Sequence, residues 1–163
     1  MDDFINLKKI QEKLALNNWS LYEYQKEFLK YQSQKKFRQI LISSEVGTGK
    51  TITAFLPFFK NEINKTKKKV IYISPLKSIN TTLKERLTEL SLNLGIKCKI
   101  EKRTSDISYI TKKKQLFNVP DILLTTPESL TLMIANANAT SLLENTDYFI
   151  VDELNEFIAS KRG

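Results

Sequence analysis

Eight consecutive residues, Ser44-Glu45-Val46-Gly47-Thr48-Gly49-Lys50-Thr51, combine the types that bind phosphate. Glycines at 47 and 49 let successive backbone N–H groups curl into an anion nest. The apolar run Gln39–Ser43 before the loop reads as a strand and the pattern over 51–63 after it as a helix. The loop therefore ends on a helix N-terminus, whose free amides and dipole favour an anion. Lys50 suits the β- and γ-phosphates of a nucleoside triphosphate, and the Thr51 hydroxyl suits Mg²⁺. The strict pattern has Gly where Ser44 stands; a small residue there still permits the tight turn. The competing reading is a surface loop that holds Gly-Thr-Gly-Lys-Thr by accident. Average residue usage gives that string on the order of once in a hundred chains of this length, and the strand-before, helix-after context lowers it further.

A second chemical feature lies about a hundred residues downstream. Tyr148-Phe149-Ile150-Val151-Asp152-Glu153 is an apolar strand that ends in two acids. Ligands of open α/β sheets gather beyond the carboxyl ends of the strands, which brings Asp152 beside the phosphate loop. Asp152 is expected to hold Mg²⁺, largely through its waters, and Glu153 to polarise an attacking water. Acids at strand ends are common on their own; the pairing with the upstream loop gives this one meaning.

The elements that position these residues alternate. Short, mostly β-branched runs at Gln39–Ser43, Val70–Ser74, Lys97–Ile100, Asp121–Thr125 and Tyr148–Val151 lack polar alternation, as strands buried on both faces do. Helical patterns fall between them at 51–63, 80–93, 107–117 and 128–135. This order predicts an α/β domain with a parallel sheet and flanking helices. Two helices precede it: an amphipathic one over 4–15, and one that starts after Ser20 as N-cap and runs to about Tyr31. The last strand is followed only by Glu153–Gly163, room for one helical piece, so the sheet is expected to be incomplete at the C-terminus.

Composition narrows the chemistry. The chain has 163 residues, one cysteine and no histidine, so a His general base and a Cys/His zinc site are excluded. Hydrophobic content of 41% and charged content of 27% are those of an ordinary soluble domain. No apolar run approaches the ~20 residues that span a bilayer, and the N-terminus is acidic where a signal peptide is basic; the expectation is a cytoplasmic protein without a membrane partner. The net charge of +8 suits a polyanion, although Lys67–Lys69 and Lys112–Lys114 also read as solvated faces.

With these motifs placed, the sequence resembles superfamily 2 DEAD/DEAH-like helicases, and within them the large helicase-related (Lhr-type) group. The likeness covers roughly residues 17–163. It rests on Ser44–Thr51, on Tyr72-Ile73-Ser74-Pro75-Leu76-Lys77-Ser78-Ile79-Asn80, on Asp121-Ile122-Leu123-Leu124-Thr125-Thr126-Pro127-Glu128-Ser129-Leu130, and on Val151-Asp152-Glu153-Leu154-Asn155-Glu156 with Ser160-Lys161-Arg162-Gly163. The resemblance implies a RecA-like P-loop NTPase domain over 35–163, with 1–34 as a helical lead-in, that takes ATP and Mg²⁺. It implies adenine contact by Gln25, which follows Trp19 and Tyr24. It also implies that Pro75, Lys77, Asn80, Thr126, Pro127 and Glu128 line the path of single-stranded or partly duplex DNA or RNA, where amides and hydroxyls grip phosphates without reading bases.

The departures are specific. The family closes its second motif with His where this chain has Asn155, which cannot titrate in coupling hydrolysis to movement. Near Lys102-Arg103-Thr104-Ser105 the usual Gly-Asp-Thr-like element is not matched. The resemblance implies that a further strand, inserting between the Lys50 strand and the Asp152 strand, and a second RecA-like domain bearing an arginine finger are missing from this chain, as in the product of a split gene, a decayed gene fragment or a shortened chain. Because such a finger is worth 10³–10⁵ in rate, this chain alone is expected to hydrolyse ATP very slowly, with a separately encoded C-terminal portion as a partner. The leading reading is the ATP-binding portion of an ATP-dependent DNA/RNA helicase. The alternative is a non-catalytic nucleotide- or nucleic-acid-binding fragment.

Overall fold

The runs Val-Ile-Tyr-Ile and Ile-Leu-Leu-Thr are stiff at χ1 and pack well on a pleated surface, and they form the centre of the sheet. In the computed structural model, residues 8, 10–14, 20–33, 39–45, 47–63, 65–136 and 139–159 are described. The elements are α1 (Glu23–Ser33), α2 (Lys50–Ile63), β1 (Val70–Ile73), α3 (Lys77–Asn93), β2 (Ile100–Arg103), α4 (Tyr109–Phe117), β3 (Ile122–Thr125), α5 (Pro127–Ile134), α6 (Thr140–Glu144), β4 (Tyr148–Val151) and α7 (Leu154–Ala159). Residues 10–14 are also helical, within the span expected over 4–15. No described helix is long and apolar enough to cross a membrane.

The chain forms two compact units, one of Met1–Lys67 with Leu90–Ile96, the other of Lys68–Glu89 with Lys97–Gly163. The second holds the sheet, ordered β2-β3-β1-β4 with every pairing parallel. Two acids set its register. Asp121 Oδ2 accepts from Lys99 N and Asp147 Oδ2 from Lys69 N, each at 2.8 Å, tying the chain ahead of one strand to that ahead of its neighbour. β1 and β3 are buried along their whole length. Ile71, Ile73 and Leu123 pack on one face with Met133, Ala139 and Leu142. In the first unit, Phe55, Leu56, Phe58 and Phe59 of α2 and Leu29 of α1 are buried, and the Phe58 and Phe59 rings meet edge to face at 5.2 Å.

Three expectations are corrected. Gln39–Ser43 is not a strand: residues 39–45 are neither helix nor strand, and Leu41 is 80% exposed. An apolar run becomes a strand only where a neighbour supplies the ladder, and among the described residues none pairs with this one. β2 lies at Ile100–Arg103 rather than Lys97–Ile100. Its ladder begins where Ile100 meets Ile122, so the charged Glu101 and Lys102 enter the strand, as suits a sheet edge. Helix α1 starts at Glu23, three residues past the expected cap Ser20, because Gln25 Oε1 accepts from Tyr22 N at 3.0 Å. That is the side-chain half of a capping box, with Tyr22 in the cap position.

Candidate nucleotide site

In the first unit, the predicted loop is built around its lysine. Lys50 Nζ donates to the carbonyls of Ser44 at 2.6 Å and Glu45 at 2.7 Å, which folds the loop back over the start of α2. Ser44 Oγ and Thr48 Oγ1 are 2.6 Å apart, and Thr48 Oγ1 donates to Glu45 O at 2.8 Å. The residue that departs from the strict pattern thus cross-braces the loop through its hydroxyl. Gly47 and Gly49 have φ of 83° and 84°, the left-handed region where a side chain is costly. Thr51 follows Lys50 in the first turn of α2. Val46 lies outside the described residues.

Gln25 is buried and joined to this loop. Its Nε2 donates to Thr53 Oγ1 at 2.9 Å. Thr53, fully buried, donates to Gly49 O at 2.9 Å, and Tyr24 Oη lies 2.6 Å from Thr48 O and 3.0 Å from Thr53 Oγ1. A Cβ on Gly49 would meet Gln25 Nε2 at 3.2 Å. The glutamine is a braced part of the loop's support rather than a solvent-facing helix residue.

In the second unit, four parallel strands bring their carboxyl ends to one edge, where ligands of such sheets collect. Ser74 and Pro75 leave β1, Thr104 and Ser105 leave β2, Thr126 leaves β3, and Asp152 and Glu153 leave β4. Lys77 is exposed and its Nζ bonds Ser105 Oγ. Of the residues expected along a nucleic acid, Lys77 and Glu128 are exposed and Pro75 half-buried, while Asn80, Thr126 and Pro127 are buried. Asn80 Nδ2 donates to Thr125 O at 3.2 Å, bracing the end of β3. Thr126 caps α5 by accepting from Ser129 N, with Pro127 in the first turn, the position where its missing N–H costs nothing. Asn155 is exposed on α7. The string Ser160–Gly163 lies outside the described residues.

Both Asp152 oxygens are engaged. Oδ2 accepts from Tyr72 Oη at 2.6 Å and Oδ1 from Glu153 N at 3.0 Å. Burial first, then the bond to Asp152, push the Tyr72 hydroxyl far above the ordinary tyrosine range, so it stays a donor. Glu153 has φ of 54°, a left-handed conformation that costs a non-glycine residue about 1–3 kcal/mol and clusters at functional sites.

Sequence reasoning passed over Tyr72, Tyr24 and Thr53. Thr53 and Tyr72 carried a signal, since a hydroxyl buried all round needs a partner; Tyr24, half-buried, carried only its place beside Gln25. The motif strings drew attention to their neighbours instead.

A phosphate-type loop on a helix N-terminus and a parallel sheet with acids at a strand end are parts of a nucleotide-binding α/β protein. The sequence profile of the DEAD/DEAH box helicases matches residues 22–163, and the chain belongs to that family. It is 38% identical over 149 residues to the ATP-dependent helicase Lhr-Core of Sulfolobus acidocaldarius, covering 79% of this chain and 16% of that protein. It is 33% identical over 150 residues to the Lhr helicase/uracil glycosylase of Escherichia coli, covering 76% and 9%. Among solved structures, Mycobacterium smegmatis helicase Lhr bound to ssDNA and AMP-PNP superposes with a TM-score of 0.82 at 25% identity, over 94% of this chain and 21% of that one. The DUF1998 helicase MrfA gives 0.76 at 24% identity, over 92% and 24%. The fold is therefore the RecA-like α/β fold of helicases, and the chain spans at most about a sixth of these two curated relatives.

Proposed function

We propose that the chain is the ATP-binding portion of an ATP-dependent DNA/RNA helicase acting in the cytoplasm, with residues 1–34 as lead-in and 35–163 as the RecA-like domain. The observation that carries this reading is the Lys50 ammonium folded onto its own loop carbonyls at a helix N-terminus, directly after two left-handed glycines. A triphosphate exchanges those carbonyls for phosphate oxygens while backbone N–H groups close around it. Gln25 meets the adenine through the hydrogen-bonding capacity its two braces leave.

Thr51 and Asp152 are each proposed as a ligand of Mg²⁺. A hydroxyl and a carboxylate are oxygen donors of the kind this ion takes beside its waters and phosphate. Bound there, the ion neutralises charge on the phosphates. Glu153 orients the attacking water, Asn155 links the site to movement, and Pro75, Lys77, Asn80, Thr126, Pro127 and Glu128 border the nucleic acid, the buried ones by shaping strand ends and helix starts.

Calorimetric titration of the chain with ADP and Mg²⁺ tests the reading. Micromolar to millimolar binding that Lys50→Ala abolishes supports it; equal binding by Lys50→Ala rejects it. The non-catalytic alternative is favoured by Asn155 and predicts nucleotide binding without nucleic-acid-stimulated turnover, even when a C-terminal helicase portion is supplied in trans.

A further inference from the structure

We propose that Tyr24 is a positioning residue of the phosphate loop, its hydroxyl fixing the Thr48–Gly49 peptide so that the Gly49 N–H faces the bound phosphates. The inference rests on the reading of Ser44–Thr51 as a nucleotide loop.

The hydroxyl protons fix the direction of these bonds. Thr53 Oγ1 receives one from Gln25 Nε2 at 2.9 Å and owns one, which is shared between Gly49 O at 2.9 Å and Tyr24 Oη at 3.0 Å. Tyr24 also owns one. The shorter of its contacts, 2.6 Å, is to Thr48 O, a carbonyl that can only accept. The consistent assignment is directed: Gln25 amide to Thr53 hydroxyl, the Thr53 proton to the Gly49 carbonyl and shared with Tyr24 Oη, and the Tyr24 proton to the Thr48 carbonyl.

Geometry supplies the consequence. No described peptide bond is cis, and across a trans peptide C=O and N–H point in opposite directions. Holding the Thr48 carbonyl on Tyr24 turns the Gly49 N–H away from Tyr24. Gly49 sits at φ +84°, a conformation with alternatives close in energy for glycine. Without an external hold the peptide is free to flip, and an amide that must be fixed on binding lowers affinity. The hold comes from outside the eight-residue motif, on the residue next to Gln25. Tyr24 is itself steadied by stacking on Tyr22, with ring centroids 6.1 Å apart and planes 17° apart.

Tyr24→Phe removes the hydroxyl and keeps the ring. The full chain and the variant are titrated with ADP and with AMP, directly or by displacement of a fluorescent ADP analogue, with Lys50→Ala alongside and thermal melting of each. Expected is about a fivefold loss of ADP affinity, the effect of one ordinary hydrogen bond, with AMP affinity within twofold of the parent. A role limited to joining α1 and α2 would weaken both nucleotides alike, and that result overturns the proposal. So does unchanged ADP affinity in Tyr24→Phe while Lys50→Ala loses binding; the loop reading then stands and the Tyr24 role alone fails. No ADP binding by the parent chain, or equal binding by Lys50→Ala, overturns the loop reading and the proposal together.

Discussion

Tyr72 Oη donates to Asp152 Oδ2 across 2.6 Å, from a ring that is fully sealed from solvent in β1. Tyr72 pairs with Ile150 in the sheet, so this bond reaches from the strand interior to the carboxylate beyond the strand end. With Glu153 N–H on the other oxygen, the carboxylate is held in one orientation before any cation arrives. Tyr72→Phe keeps the packing and removes the bond. A hydrogen bond to a charged group contributes about 1.5–3 kcal/mol, and urea unfolding should show a loss of that order. The Mg²⁺ concentration that half-saturates the Mg²⁺-dependent part of ADP binding should rise severalfold. A stability loss with no change in Mg²⁺ dependence would make Tyr72 a packing residue only.

The two loop glycines separate conformational cost from steric cost. Gly47 and Gly49 share the left-handed backbone, but a Cβ at Gly47 meets nothing within 4 Å while one at Gly49 meets Gln25 Nε2 at 3.2 Å. Gly47→Ala should cost about 1–2 kcal/mol, the left-handed penalty alone. Gly49→Ala should cost more, because it also pushes the Gln25 amide off Thr53. Denaturant midpoints of the two variants measured together give the order directly; equal losses would mean that Gln25 yields without strain.

The loop and the sheet were legible in sequence for different reasons. At Ser44–Thr51 the bends at Gly47 and Gly49 and the start of a helix at Lys50 were legible, because left-handed turns favour glycine and the apolar helical pattern begins there. Val70–Ile73 and Ile122–Thr125 were readable because runs buried on both faces are continuously apolar. Gln39–Ser43 misled for the same reason: the pattern records a preference, while a strand requires a partner that the sequence of one segment cannot show. The start of β2 was misread because its residues Glu101 and Lys102 suit an edge, and edges lack the apolar signal. Tyr24, Thr53 and Tyr72 stayed hidden because their partners, Thr48, Gln25 and Asp152, lie 24, 28 and 80 residues away.

Asp106 gives a pH signature. Its carboxyl lies below the ordinary value of 3.8, chiefly because the Thr104 hydroxyl donates to it, with its own backbone N–H and the charges of Lys102 and Lys77 adding. A carboxylate with a folded pKa below its unfolded one stabilises fully above the unfolded value, and loses that contribution as pH falls through the folded one. Asp106→Asn should therefore lower the melting temperature at neutral pH and flatten its fall between about pH 5 and 2. Thermal melts across that range check it; an unchanged acid limb would show that Thr104 and the lysines do not favour the ionised form.

The two edges of the sheet differ, and only one carries charge. β2 presents the half-buried Glu101 and Lys102, which discourage a further strand. β4 is Tyr148-Phe149-Ile150-Val151, with Phe149 54% and Val151 45% exposed, and among the described residues it pairs with β1 alone. An apolar, uncharged strand with one ladder open is a template for another chain. Self-association of the isolated chain should therefore run through β4. Phe149→Lys should suppress it, as read by light scattering across a concentration series, at a stability cost within about 0.5 kcal/mol for an exposed site. Lys102→Val at the opposite edge should have the reverse effect and raise scattering. A loss of about 2 kcal/mol or more in Phe149→Lys, the size of a core truncation, would instead mean that this face is covered in solution.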